Sequence, residues 1–402
     1  MGLENNIPED WMETTLNELA FINPRESIRK GDLTKNVPMD CIDSFTRKIS
    51  RFGIKEFKGG TKFKNKDTLL ARITPCLENG KTALVDFLDK DEIGFGSTEY
   101  IVIREKNDKS HYKFLYYLSI SPKFRRNAIK AMTGTSGRQR VQTDVLINKV
   151  FRFPPLQEQK AIAKVLTAFD DKIELLQAQN KTLETMAQTI FKEWFGKHQI
   201  GDELPEGWRV DSLSEIADFL NGLALQKYPP KKGYETLPVI KIRELKQGIT
   251  SNTDSANTEL DEKYIIDSGD VLFSWSGSLE VVIWQYGKGA LNQHLFKVSS
   301  EIYPKWFYYH WVLHHLKEFK GIASSKATTM GHIKRKHLDL AEVIIPDKET
   351  FKKLNILFSP ILEKIENNQN LIQSLTKTRD TLLPKLMSGQ VRVNNLKQTA
   401  DA

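Results

Sequence analysis

Two long stretches of the chain carry mostly apolar side chains at alternating spacings of four and three residues. In the first stretch, the repeating positions are Ile162, Leu166, Phe169, Ile173, Leu176, Asn180, Leu183, Ala187, Ile190 and Trp194. In the second stretch, they are Leu354, Phe358, Ile361, Ile365, Asn368, Ile372, Leu375, Arg379, Leu382 and Leu386. Because this spacing is the heptad repeat of a left-handed coiled coil, we predict two long helices that pack along this seam.

The two stretches are related by an internal repeat, since every seam position of the second lies 192 residues after its counterpart in the first. Asparagines interrupt the seams at Asn180 and Asn368. A buried asparagine in a coiled coil costs stability but fixes the register. If the helices run antiparallel about a pseudo-twofold axis, Asn180 lies opposite Asn368. The alternative is that the two asparagines are unrelated and face solvent or another helix.

The segments before the helices repeat as well. A Pro-x-x-Trp motif occurs at 8–11 and again at 205–208, and the strand-like run 67–72 is matched by 270–275. Runs rich in β-branched and aromatic residues favour short strands in both segments. We therefore predict an α+β fold: two mixed α/β domains separated by two long antiparallel coiled-coil helices in a pseudo-twofold repeat. The predicted segments are a first domain (1–153), a first helix (154–198), a second domain (199–345), a second helix (346–392) and a disordered tail (393–402).

Composition narrows the class of protein. Of the 402 residues, 40% are hydrophobic and 27% charged, which is typical of a folded globular chain. The net charge of +8 is compatible with nucleic-acid binding, but 199–345 is slightly acidic, so charge alone does not identify a DNA-binding protein. Neither a membrane-spanning run nor a signal-peptide pattern is present, and Cys41 and Cys76 form no CxxC motif. We expect a cytoplasmic protein with no membrane contact and no cysteine-based zinc site.

Motifs for catalysis are lacking in the sequence. We find no P-loop, no strand-associated GxGxxG, no GxSxG and no HExxH. His310 and His314 lie one helical turn apart, but a metal site needs a third ligand, so a core or surface role is the favoured interpretation. Asp347 follows Pro346 as in some nucleases, yet the repeat makes this pair the counterpart of Pro155 at a helix start. We therefore predict no metal, no cofactor and no catalytic residue on this chain.

Three polar loops in each half are candidates for nucleic-acid contact. In the first half they are loop A (72–81), loop B (97–99) and loop C (134–140); their counterparts are loop A′ (274–278), loop B′ (292–294) and loop C′ (328–337). Arginine pairs bidentately with guanine, glutamine pairs with adenine, and basic side chains bind phosphates. The DNA-binding candidates are Arg72, Thr74, Lys81, Arg125, Arg126, Arg138, Gln139, Arg140, Ser274, Trp275, Ser276, His332, Lys334 and Arg335. The alternative for each residue is an ordinary solvated surface loop.

Two sequence motifs connect the chain to a known family. The start of the first helix, Pro154-Pro155-Leu156-Gln157-Glu158-Gln159, and the ending Leu386-Met387-Ser388-Gly389 resemble specificity subunits of type I restriction–modification systems. The two Pro-x-x-Trp motifs and the two-unit layout agree over essentially the whole chain. The second helix departs from the pattern, because it begins Ile345-Pro346-Asp347-Lys348, so its assignment depends on the heptads and the C-terminal motif.

The resemblance implies a non-catalytic subunit that recognises DNA. Each domain would be a target-recognition domain that reads one half of a bipartite, asymmetric sequence in double-stranded DNA. The helices would set the spacer and dock two methyltransferase subunits, and motor-nuclease subunits would complete the assembly. S-adenosylmethionine and ATP would bind those partner subunits. The alternatives are an enzyme in its own right, a protein-only coiled-coil adaptor, and a coiled-coil DNA-binding adaptor of a related methyltransferase-only or restriction-only system.

Overall fold

The computed structural model describes residues 8–135, 137–198, 203–250, 252–325 and 331–393. The chain divides into two compact units. The first unit combines residues up to Glu174 with those from Ser374 onward, and the second runs from Leu175 to Gln373. Both long helices cross this division, so each unit contains one part of each helix.

The first unit contains short strands, short helices and the start of the first long helix. Its strands are β1 (Met12–Thr15), β2 (Ala20–Ile22), β3 (Leu33–Val37), β4 (Gly53–Glu56), β5 (Thr61–Phe63), β6 (Thr68–Ala71), β7 (Thr82–Leu84), β8 (Gly94–Gly96), β9 (Tyr100–Glu105), β10 (Met132–Thr133), β11 (Arg140–Val141) and β12 (Val150–Phe153). Its helices are α1 (Leu16–Leu19), α2 (Tyr112–Ile120), α3 (Pro122–Lys130), α4 (Thr143–Ile147) and α5 (Leu156–Phe195), the last of which continues into the second unit.

The second unit repeats this arrangement. Its strands are β13 (Arg209–Ser212), β14 (Asp218–Asn221), β15 (Thr236–Ile240), β16 (Ser255–Asn257), β17 (Ile265–Ile266), β18 (Val271–Ser274), β19 (Val281–Ile283), β20 (Gly289–Leu291), β21 (Leu295–Ser299) and β22 (Glu342–Ile345). Its helices are α6 (Leu213–Ile216), α7 (Ile242–Gln247), α8 (Lys305–Ser324), α9 (Arg335–Asp339) and α10 (Lys348–Ser388), the last of which returns to the first unit.

The two four-stranded sheets have the same topology in both units. One antiparallel sheet has the order β2-β9-β6-β7 in the first unit and β14-β21-β18-β19 in the second. The other has the order β4-β3-β8-β5, answered by β16-β15-β20-β17, and its central pairs β3–β8 and β15–β20 are parallel. Because strand order and direction both recur, the repeat found in the sequence is a repeat of the fold.

The seams of the long helices belong to the hydrophobic cores, as the heptad pattern predicts. In the first unit, Ile162 and Leu166 of α5 and Leu386 of α10 are buried with the aromatic residues of α2. In the second unit, the indole of Trp306 stacks on Phe358 of α10 with ring centroids 4.4 Å apart. Burial of one such large side chain contributes about 1.5–3 kcal/mol, so each domain is fixed to its own helix segments mainly by apolar contact.

Both units show that α5 and α10 run antiparallel. In the second unit, the Asn368 side chain donates a hydrogen bond to the Asn180 side chain (2.9 Å), and Asn180 donates to the carbonyl of Ile365 (3.2 Å). In the first unit, Asp170 pairs with Arg379, and further back along α5, Glu158 pairs with Arg392. Residues later in α5 therefore contact residues earlier in the C-terminal segment, as in an antiparallel pair. The predicted fold class and the predicted asparagine pair are therefore confirmed.

The predicted tail begins too early by at least one residue. Val393, which the sequence analysis placed in the tail, is buried in the core of the first unit. Nearby, Gly389 has a φ of +77°, and a Cβ at this position would lie 2.4 Å from the Cδ of Pro8. The chain after α10 therefore packs closely on the N-terminal segment. Residues 394–402 lie outside the described part of the chain.

Candidate nucleic-acid interface

The three candidate loops of the first unit meet at one place. The backbone N–H of Thr74 in loop A donates to the carbonyl of Gln139 in loop C (3.0 Å), and Ile73 forms an isolated β-bridge with Arg140. The N–H of Arg72 donates to the carbonyl of Glu99 in loop B (3.0 Å). Loops that are far apart in sequence therefore form one hydrogen-bonded surface at the end of strand β6.

A carboxylate lies between two arginines on this surface. The Nε of Arg72 donates to one oxygen of Glu99 (3.1 Å). Arg140 donates to the same carboxylate through Nε (2.9 Å), and its Nη2 lies 2.8 Å from Glu99 Oε1. The hydrogen bond from Arg140, followed by that from Arg72, holds the pKa of Glu99 below its usual value, and Glu99 raises the pKa of Arg140 in turn. Glu99 is thus ionised at neutral pH and orients both guanidinium groups.

The remaining candidates of the first unit divide into exposed and inward-facing residues. Arg126 and Arg138 are exposed, and Gln139 is half-buried with its carbonyl bonded to Thr74. Arg125 faces inward, because its guanidinium donates to the carbonyls of Leu77 (3.2 Å) and Glu78 (3.0 Å).

Lys81 and Thr74 also have partners within the unit. The ammonium of Lys81 donates to the carbonyl of Met39 (2.8 Å), and the hydroxyl of Thr74 lies 3.6 Å from the sulfur of Met132. With Arg125, they stabilise the loops, whereas Arg126, Arg138 and Arg140 present cations to solvent.

In the second unit, the corresponding loops meet in the same way. The N–H of Ile333 in loop C′ donates to the carbonyl of Trp275 in loop A′ (2.9 Å), and Ser276 forms an isolated β-bridge with His332. The hydroxyl of Ser276 lies 2.9 Å from Nδ1 of His294 in loop B′. The bridge between Ser276 and His332 stands where the first unit has its bridge between Ile73 and Arg140.

This second surface is built around aromatic and imidazole rings. The Trp275 indole lies 5.9 Å from the ring of His294 and 6.2 Å from that of His332, and its N–H donates to Asn221 (2.9 Å). Lys334 and Arg335 are exposed at its edge, and Arg335 also donates to the carbonyl of Phe219 (3.1 Å). Residues 328–330 of loop C′ lie outside the described residues.

Ser274 and Ser276 differ from what the sequence suggested. Ser274 is fully buried, and its hydroxyl donates to the carbonyl of Ser278 (2.7 Å) and accepts from the N–H of Glu280 (2.7 Å). It therefore holds the turn of loop A′ and is not available to a ligand. Ser276 is also buried, and its hydroxyl contacts the ring of His294 in loop B′. Ser274 is therefore corrected to a structural residue of the turn.

Glu99 was absent from the candidate residues, although loop B had been singled out. Basic and amide side chains are the usual partners of DNA, so an acid did not meet that criterion. The signal that the sequence offers is a single glutamate in loop B, among candidate loops that are otherwise rich in basic and amide side chains. Its role is visible only once Arg72 and Arg140, 68 residues apart in sequence, are seen on one carboxylate.

The other chemical motifs of the sequence have structural roles. His310 is buried between Phe191 and Phe358, and burial lowers its pKa to about 4. Asp347 caps helix α10 by accepting from the N–H groups of Glu349 (2.9 Å) and Thr350 (3.0 Å). Hydrogen bonds from the side chain and then the main chain of Thr350, followed by that from the N–H of Glu349, lower the pKa of Asp347 to about 2. Both residues are explained without catalysis.

The Pro-x-x-Trp motifs fix each N-terminal segment to a helix start within its own unit. The indole of Trp208 donates to Asp347 (3.1 Å), and that of Trp11 donates to Glu158 (3.0 Å).

Across the described residues, three or more potential ligands for a metal ion are nowhere grouped together, and the described helices include none that could cross a bilayer.

Comparison with known proteins identifies the family. The model of the type I restriction modification DNA specificity domain matches the chain twice, at residues 8–185 and 205–377. The chain belongs to this family. Each match covers a repeated domain and most of the helix that follows it, so the DNA specificity domain occurs here as a tandem pair.

Individual members of the family support the same conclusion. The type I restriction enzyme MjaIX specificity subunit of Methanocaldococcus jannaschii is 29% identical over 307 residues, which cover 71% of this chain and 70% of that subunit. The EcoAI specificity subunit of Escherichia coli is 34% identical over 222 residues, which cover 53% of this chain but 37% of that subunit. The crystal structure of a type I S subunit from M. genitalium matches with a TM-score of 0.54 over 96% of this chain and 98% of that chain, at 16% identity, and shares the fold.

Proposed function

We propose that this chain is the DNA-reading subunit of a type I restriction–modification complex, in which each unit reads one half of a bipartite target. The observation that carries the proposal is the convergence of three separate loops in both units, at equivalent ends of equivalent strands. Loops held by a rigid sheet are the usual place for recognition residues. Arg138 and Arg140 of the first unit match the chemistry of base edges and phosphates in the major groove.

The target is asymmetric in this proposal, because the two surfaces differ. The first has Arg72, Glu99 and Arg140, whereas the second has Trp275 and His294 at the corresponding positions. Charged forks pair with guanine, while an aromatic ring makes apolar contacts, for example with the thymine methyl group. The two halves of the recognised sequence would therefore differ in base composition.

The long helices would set the spacer and dock two methyltransferase subunits. Met186, whose side chain is 47% exposed, lies with Thr182 and Thr189 on a shallow groove of α5 in the second unit. Ile356 and Leu357 of α10 are exposed as well. Exposed apolar side chains along a helix suit contact with a partner helix. S-adenosylmethionine and ATP would bind the methyltransferase and motor-nuclease subunits, and this chain would carry no reaction itself.

A two-part experiment tests the proposal. The purified chain is incubated with duplex DNA and labelled S-adenosylmethionine, alone and with its methyltransferase partner, and methyl transfer is measured. We expect transfer only with the partner; methylation by the chain alone would contradict the proposal. Binding to a library of randomised duplexes is then measured at several salt concentrations. Sequence-dependent binding that weakens with salt is expected of a reader, while a protein-only adaptor would show neither property.

A further inference from the structure

An acidic side chain on a surface that faces DNA needs an explanation. A carboxylate repels phosphates, so Glu99 reduces the electrostatic attraction that Arg72 and Arg140 supply. Its side chain is only 19% exposed, and both of its oxygens accept from arginines. Glu99 therefore does not reach outward as a ligand. Its position instead fixes the direction in which the two guanidinium groups point.

The two arginines are left with different groups available. Arg140 uses Nε and Nη2 to bind the carboxylate. Arg72 uses Nε alone, and no acceptor in the described parts of the chain binds its Nη1 or Nη2. Those two nitrogens form the flat end of the guanidinium, whose spacing matches O6 and N7 of guanine. Arg72 is thus held from behind, with its two-pronged end free.

The backbone around Arg72 is fixed on both sides. Its N–H donates to the carbonyl of Glu99, and its own carbonyl accepts from the N–H of Val141 (2.8 Å). The side chain and the main chain of Arg72 are therefore both anchored to loop B. An arginine oriented in advance loses less rotamer freedom on binding, which favours the one base that fits its geometry.

We infer that Glu99 is a positioning residue that holds Arg72 for a single guanine in the half-site read by the first unit. The inference rests on the proposed function and adds the base, the reading residue and the residue that orients it. Glu99 then lowers affinity for DNA in general and raises selectivity. Its negative charge opposes binding to every site, and only a site that offers guanine to the guanidinium fork compensates this repulsion.

Among its described residues, the second unit has no such arrangement of two arginines on one carboxylate. Loop B′ consists of Asn292, Gln293 and His294, and loop A′ places Trp275 where the first unit has Arg72. Because Trp275 and His294 stand there in place of Arg72 and Glu99, the effect of Glu99 is confined to one half-site. This restriction makes the second half-site an internal control.

The test uses the complex of the full chain with its methyltransferase partner and a library of randomised duplexes. Bound duplexes are sequenced for the unaltered chain, for Glu99→Gln, for Arg72→Lys and for the control Glu13→Gln. Glu13 on strand β1 forms an exposed ion pair with Arg152 on strand β12 of the same unit (2.8 Å). The control therefore removes a comparable charge at a place away from the loops. Thermal unfolding of each variant is recorded alongside.

For Glu99→Gln, we expect guanine enrichment at one position of one half-site to fall about tenfold, with stronger binding to unrelated DNA. Arg72→Lys keeps the charge but loses the fork, so it should lose the same enrichment while retaining general affinity. Unchanged enrichment in either variant would overturn the inference, as would a uniform loss in both half-sites. If the unaltered chain selects no sequence at all, the proposed function itself fails, an outcome distinct from the others.

Discussion

Asn180 and Asn368 contact each other through their side-chain amides, although 188 residues separate them in sequence. Both are buried among apolar seam residues. The pair can form only in one antiparallel register, since a shift of one heptad would bury each amide against an apolar seam residue. The two asparagines therefore specify how the helices align.

Replacing one asparagine should be worse than replacing both. In Asn368→Leu, the buried side-chain oxygen of Asn180 loses its hydrogen-bond donor, which should lower the free energy of unfolding by about 1–3 kcal/mol. The double variant Asn180→Leu, Asn368→Leu removes both polar groups and should recover most of that loss. Urea unfolding of the three proteins measures the difference. Equal or additive losses would contradict this account of the pair.

A second buried pair ties the seam of the first unit to its domain. Arg379 donates to Asp170 (2.6 Å), and Asp170 also accepts from the hydroxyl of Tyr117 (2.6 Å). Arg379→Ala would leave a buried carboxylate without its cation, so we expect a loss of about 3–5 kcal/mol in unfolding free energy.

The second unit supplies the matched control for that substitution. Its counterparts of Asp170 and Arg379 in the repeat are Leu362 and Ala187. The double variant Asp170→Leu, Arg379→Ala copies that apolar arrangement and should be clearly more stable than Arg379→Ala. A double variant as unstable as the single one would show that the ion pair is not the source of the loss.

Stability should fall in mild acid because of His310. Burial lowers its pKa from 6.5 to about 4, so between these values the unfolded chain binds a proton there that the folded chain does not. Its contribution is complete above pH 6.5 and decreases as the pH falls toward 4, by about 3 kcal/mol in total. Urea unfolding of the chain and of His310→Phe at several pH values measures this. A variant with the same pH dependence would contradict the prediction.

Arginines of loop C should affect only one half of the recognised sequence. Arg138→Ala or Arg140→Ala removes a cation from the first unit alone, so we expect selectivity to drop about tenfold at one half-site. Methylation of targets carrying single base changes, with the partner subunit present, gives the profile of each variant. Equal loss at both half-sites would indicate a general folding defect.

Helix length should determine the accepted spacer. One heptad added to α5 and one added to α10 at the facing position preserve the seam and lengthen the coil by about 10 Å. Since B-DNA rises about 3.4 Å per base pair, the accepted spacer should grow by about three base pairs. A heptad added to one helix only is the control, because it breaks the pairing. The measurement is selection from duplexes whose half-sites are separated by spacers of different length. An unchanged preferred spacer length would contradict the prediction that the helices set it.

The helices and their register could be predicted because the heptad repeat is a local pattern, and it indicates directly which residues face the partner helix. The sequence also located the loops, since the repeat pointed to the same places twice. It could not predict which side chains face outward. Arg125 turns toward the carbonyls of a distant loop, and Ser274 closes its own turn. Such orientations depend on contacts between segments far apart in the chain.

The ion pairs of Arg392 carry a consequence for biosynthesis. This side chain binds both Asp10 and Glu158, so the first unit needs residues made at widely separated times. The second unit is contiguous, so all of its residues have been synthesised when the chain reaches Ser374. The domain translated first is thus the one completed last, because Leu386 and Val393 of its apolar core are synthesised only after the whole second unit.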